Sequence, residues 1–141
     1  MLCADYNESE IELYFLLNYK LDVRGKRMGQ KEYRHELINR FGKCVITNSK
    51  TFQACHVIPY SDNHNMDVNN GLLLNYQHHA MFDKYIMSIN PDTLCVEFNY
   101  DIVDRDEFFV SSVDGKKLDI LNQYPRIILY LNKHYGIFKK N

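Results

Sequence analysis

The sequence predicts an α+β fold, and three observations carry that expectation. Two short stretches of strand formers, Thr51–Ile58 and Leu72–Leu74, are separated by a polar loop and followed at once by Tyr76–Lys84, which has no Gly or Pro and can be helical. Longer helical stretches flank this unit at Gln30–Phe41 and after Pro125. Between the unit and the last helix, Pro91-Asp92 and Asp114-Gly115 each separate strand-like runs and predict two hairpins. With 141 residues the chain is expected to be a single domain, residues 1–141, large enough for a real core.

In chain order, Glu8–Lys20 reads as a packing helix. Asn7 is its N-cap, acidic residues occupy its first turn, and Ile11, Tyr14 and Phe15 form its buried stripe. A basic connection holding Gly25 and Gly29 leads to the Gln30–Phe41 helix, whose apolar face is Tyr33, Leu37, Ile38 and Phe41. Gly42 is placed to close that helix in the left-handed region. Cys44–Thr47 is expected as a short strand, turned at Asn48. After the central unit, Tyr85–Asn90 pairs with Leu94–Asn99 across Pro91-Asp92, and Phe108–Val113 pairs with Lys117–Ile120 across Asp114-Gly115. Pro125 opens the last helix, with Ile128, Leu129, Leu131 and Tyr135 inward. Lys133, His134, Lys139 and Lys140 lie toward its C-terminal end, where the helix dipole favours cations.

Composition narrows the function. No apolar run approaches the ~18 residues of a membrane span, and the acidic N-terminus lacks a signal-peptide pattern, so a soluble intracellular protein is expected. Four scattered cysteines without metal-clip spacing fit free thiols. The net charge of −1 is low for a nucleic-acid binder, but the charge is unevenly spread. From Lys20 to Lys43 eight Lys or Arg face three acids, for +5, whereas the first nineteen residues hold four acids and no base, for −4. Arg27, Lys31 and Arg34 in this basic stretch, with Lys50 beyond it, are the candidate phosphate contacts.

The central unit, TFQACHVIPYSDNHNMDVNNGLLLNYQHHAMFD, carries the chemistry. His56 ends the first strand, and a neutral imidazole can take a proton from water near neutral pH. His79 and Asp83 are four residues apart on the predicted helix, so they share a face and can close on one divalent ion. His78 points roughly 100° away from His79 and is read as exposed or hydrogen-bonded. His64 is read as a loop residue in solvent.

QACHVIPY, NNGLLL and HHAMFD, in that order and spacing, resemble the HNH endonucleases, which share the ββα-metal (His-Me) finger. The likeness is to the branch with A-A-H-I-x-P, N-G-L-L-L and H-x-x-F-D motifs. The lead-in RMGQKEYRHELINRFGKCVIT is similar to that branch's, and the tail around His134 and Phe138 is loosely similar to its closing helix. The resemblance is good over most of residues 27–98, with a finger core at about 44–90. It implies His56 as general base, Asn70 as the asparagine that holds the finger loop and helps fix the base, and His79 and Asp83 as metal ligands. It also implies DNA as substrate, 5′-phosphate and 3′-hydroxyl products, and Mg²⁺ or Mn²⁺ as the working ion, with Zn²⁺ or Ni²⁺ admitted by the imidazole.

The pattern departs from the family at Cys55, where many members place another Asp, Glu or His ligand. Cys55 is read as packing, which leaves the metal on two protein ligands. The paired CxxC clamps of some relatives are absent. Two other readings stand beside the nuclease: a catalytically inactive DNA-binding module that retains the finger, and a partner-binding scaffold with a structural metal. A chain this small has little room for a separate sequence-reading domain, so specificity would come from a homodimer or a partner protein.

Overall fold

The computed structural model describes residues 29–59 and 66–141. The Glu8–Lys20 helix, the Leu21–Gly29 connection up to residue 28, Arg27 and His64 lie outside these residues. Helix α1 spans Gln30–Phe41 and ends at Gly42 with φ of 72°, the left-handed cap expected from sequence. Tyr33 and Leu37, one turn apart, are its buried residues. Cys44–Thr47 does not form the expected strand. It is a turn in which the Cys44 sulfur accepts the N–H groups of Thr47 and Asn75, and Asn48 closes it at φ of 64°. Only Val45 makes a strand-like bond, its N–H donating to Leu73 O.

Strand β1 (Gln53–His56) pairs antiparallel with β2 (Gly71–Leu74), in the register Gln53–Leu74, Ala54–Leu73, Cys55–Leu72 and His56–Gly71. A 3-10 turn over Val68–Asn70 leads into β2, capped by the Asp67 side chain. All four β2 residues are buried because both faces of the ribbon are covered. Leu73 and Ala54 pack under α1 with Tyr33, Leu37 and Met66. Leu72, Leu74 and Cys55 face the larger core. Helix α2 (Tyr76–Asp83) follows directly, its N-cap Asn75 accepting the His78 N–H.

Strands β3 (Met87–Ile89) and β4 (Val96–Phe98) form the hairpin expected across Pro91-Asp92. The second expected hairpin is absent. Phe108–Ser111 is a short helix, α3, and Asp119–Gln123 is a 3-10 turn; Lys117 instead bridges to Cys95, just before β4. Val110 and Val113 are buried and lie three residues apart, a helical rather than a strand spacing. Helix α4 (Ile127–Lys140) packs on β3 and presents Ile127, Ile128, Leu131, His134 and Phe138 inward.

His134 corrects a sequence expectation. It is not part of a basic helix end but is 1% exposed, stacked on Phe82 with ring centroids 3.7 Å apart. Its Nε2–H donates to Phe82 O at 2.8 Å and its Nδ1 accepts from Ser88 Oγ at 2.7 Å, so the neutral ring is fully bonded. Tyr135, expected inward, is only half-buried.

Candidate metal and catalytic centre

The base candidate is positioned from three directions. His56 ends β1 opposite Gly71, and the Tyr33 ring of α1 stacks on its imidazole at 4.5 Å and 7°. The Tyr33 hydroxyl passes on to donate to Asn70 O at 2.6 Å. That path exists because position 71 has no side chain. A Cβ there would lie 2.3 Å from the Tyr33 hydroxyl oxygen and 2.8 Å from Leu37. Gly71 is extended, so its role is close approach and not a left-handed turn.

Asn70 is fully buried, and its side chain clamps the chain just after the base. Its Oδ1 accepts from Ile58 N at 2.7 Å, and its Nδ2 donates to Ile58 O at 3.0 Å. Its own carbonyl also accepts from Val57 N. The structure thus places Asn70 against the segment that follows the base candidate. Arg40 braces the same turn by donating to Asn69 Oδ1 at 2.8 Å while lying over the Tyr124 ring.

The helical pair is formed. His79 Nε2 lies 3.1 Å from Asp83 Oδ2. Two ligand atoms bonded to one ion at about 2.1 Å are roughly 3.0–3.4 Å apart, so the pair fits chelation of a divalent ion with little movement. His79 Nδ1 is 2.6 Å from Gln53 Oε1; that oxygen can only accept, so Nδ1 carries a hydrogen and Nε2 is the ring nitrogen that faces Asp83. Gln53 was not singled out by the sequence. Its position two residues before Cys55 on the same strand face was the available signal.

Electrostatics tie the base to the pair. Burial lowers the His56 pKa below the usual histidine range, the Asp83 carboxylate opposes that, and His79 adds to it. A lowered pKa keeps the imidazole neutral, the form that accepts a proton. Cys55 lies beside them, fully buried, its sulfur 3.9 Å from Asp83 Oδ1 and 3.5 Å from His56 O. Burial first, and then the Asp83 charge and the contact with it, push its thiol well up. Sulfur, His79 nitrogen and Asp83 oxygen all lie within 4.8 Å of one another.

The remaining predicted residues lie apart from this cluster. His78 is buried, with Nε2 at 2.7 Å from Phe109 O, the hydrogen-bonded alternative of the sequence reading. Arg34 and Lys31 are exposed on α1, Arg34 over the Phe52 ring at 5.2 Å, and Lys50 is exposed in the turn before β1. No described helix is long and apolar enough to cross a membrane.

A two-stranded ribbon joined directly to a helix, with one imidazole on the first strand and an imidazole–carboxylate pair on the helix, forms a ββα finger whose helical pair could hold a metal ion. The family model for HNH endonucleases matches residues 44–90, the span from the Cys44 turn through β3. Over this stretch the chain is similar to the HNH endonucleases. A comparison with curated proteins gave no match.

Proposed function

We propose that this protein is a metal-dependent DNA endonuclease that hydrolyses phosphodiester bonds to 5′-phosphate and 3′-hydroxyl ends. The observation that supports it best is the finger itself: His56 ends β1, the His79–Asp83 pair lies on α2, and Cys55, the residue before the base, brings its sulfur to Asp83. His56, kept neutral by burial, takes the proton of the attacking water. Tyr33 and Asn70 hold its ring and the chain after it, so the base is in place before substrate arrives. A divalent ion on His79 and Asp83 would supply positive charge for the phosphate oxygens and the leaving 3′ oxygen. Arg27, Arg34, Lys31 and Lys50 contact the DNA backbone in this reading, as positioning rather than sequence-reading groups.

The test is cleavage of supercoiled plasmid and short duplexes by the purified chain with a panel of divalent ions. Wild type nicks or cuts and stops with a chelator. His56→Ala, with an unchanged circular dichroism spectrum, loses roughly 100-fold or more, the usual contribution of a positioned base. Equal cutting by the two proteins overturns the assignment. The near-neutral charge and Cys55 at a family ligand position favour one alternative, a DNA-binding module without turnover. It requires retention on a DNA column with no cleavage under any ion.

A further inference from the structure

Among the described residues, Cys55, His79 and Asp83 form the one group of three potential ligands gathered closely enough for a metal ion. Strand alternation turns Gln53 and Cys55 to the same face of β1, and both meet the His79–Asp83 turn of α2. Gln53 orients the ring of His79, and Cys55 brings its sulfur to the carboxylate of Asp83. On a tetrahedral ion with ordinary bond lengths, sulfur and oxygen ligands are roughly 3.6 Å apart. The sulfur is 3.9 Å from Oδ1, the carboxylate oxygen other than the one that faces His79, and one ligand atom from each of the three residues lies within 4.8 Å of the others. The sulfur is buried, whereas the Asp83 side chain is 53% exposed, so the cluster is closed on the strand side and open toward solvent.

We infer that Cys55 is a third metal ligand, and that the finger holds a borderline or soft ion such as Zn²⁺ or Co²⁺ in preference to Mg²⁺. The inference rests on the reading of His79 and Asp83 as the metal pair. Thiolate is a soft ligand that Mg²⁺, which takes oxygen ligands in octahedral geometry, does not favour. When the sulfur–metal bond forms, the thiol proton leaves to solvent. Three protein ligands on a four-coordinate ion leave one position free, the arrangement of catalytic rather than structural zinc sites. The residue that replaces the family's hard ligand therefore changes the choice of ion and keeps the site open.

The experiment is a Co²⁺ titration of the full chain without DNA, read by absorption. The expected result is one equivalent of Co²⁺ with a near-ultraviolet sulfur-to-cobalt charge-transfer band. Zn²⁺ removes the band, and a large excess of Mg²⁺ does not. The band is lost in Cys55→Ala and kept in Cys95→Ser. Cobalt affinity in Cys55→Ala falls by more than the roughly 10–100-fold that loss of an outer partner costs. Cys55→Ser preserves side-chain volume and covers the case in which Cys55→Ala does not fold; it too is expected to lack the band. Cobalt bound without the band, or a band that persists in both Cys55 variants, overturns the inference. The plasmid assay separates this from the nuclease reading. A Cys55-dependent band without cleavage upholds the ligand and removes the activity. Cleavage with Mg²⁺ and no band does the reverse.

Discussion

His56 and Gly71 face each other across the ribbon, and Tyr33 occupies the space that glycine leaves. Gly71→Ala is therefore expected to destabilise the chain by about 1–3 kcal/mol, the usual cost of overpacking, and to lower cleavage by displacing the stacked ring. Urea unfolding and plasmid nicking measure the two effects; an alanine variant as stable and active as wild type would remove Tyr33 as a positioning residue. At this scale the sequence was partly legible. The family resemblance named His56, Asn70, His79 and Asp83, because the motifs that carry it are local. Tyr33 was legible only as an inward residue of an apolar stripe. That it lies over His56 depends on how α1 docks, which no spacing within the helix reveals. Cys55 was read as packing, which its burial agrees with, but the neighbour of its sulfur is set by α2.

Among the elements, β1 does the most with the fewest residues. Gln53 and Cys55 meet the metal pair, Ala54 packs against α1, and His56, at the strand's end, stacks on Tyr33 within reach of the field of Asp83. Gln53→Ala is expected to free the His79 ring and lower metal affinity by roughly 10–100-fold with little change in stability, since Gln53 is exposed. Isothermal titration with Zn²⁺ or Mn²⁺ decides it, and an unchanged affinity would show that the ring is fixed by something else. The strands, α1, α2 and the β3–β4 hairpin were readable because their periodicity and turn residues agree. Phe108–Val113 was misread because a short apolar run fits either period and Asp-Gly serves a helix exit as well as a hairpin. The arbiter was Val110 and Val113, which share a buried helical face.

At the scale of the whole molecule, α4 supports the finger from behind. His134 links Ser88 of β3 to the Phe82 carbonyl on the metal-pair helix. Burial, opposed weakly by that carbonyl and by Asp83, takes its pKa down to about 4. The unfolded chain, with an ordinary histidine near 6.5, binds this proton more readily than the folded one. The stabilisation is thus complete above pH 6.5 and is lost as pH falls from 6.5 toward 4. Over that window wild type is expected to lose roughly 3 kcal/mol through this group. Urea midpoints at pH 7 and 4.5 for wild type and His134→Gln test it; equal losses would assign the acid sensitivity elsewhere. The sequence placed His134 among the cations at the helix end because histidine is habitually counted as polar. Counted with Leu131 and Phe138, it completes an inward stripe at three- and four-residue spacing.

That link also has a consequence in time. During synthesis the residues of the finger leave the ribosome before those of α4. Until Ile127–Lys140 arrive, the carbonyl of Phe82 and the hydroxyl of Ser88 have no imidazole to join them, and Phe82 has no ring against it. A nascent chain that already contains every residue of the candidate centre is thereby still short of the wedge that seats it. The seating of the finger helix is deferred until this stretch has been made.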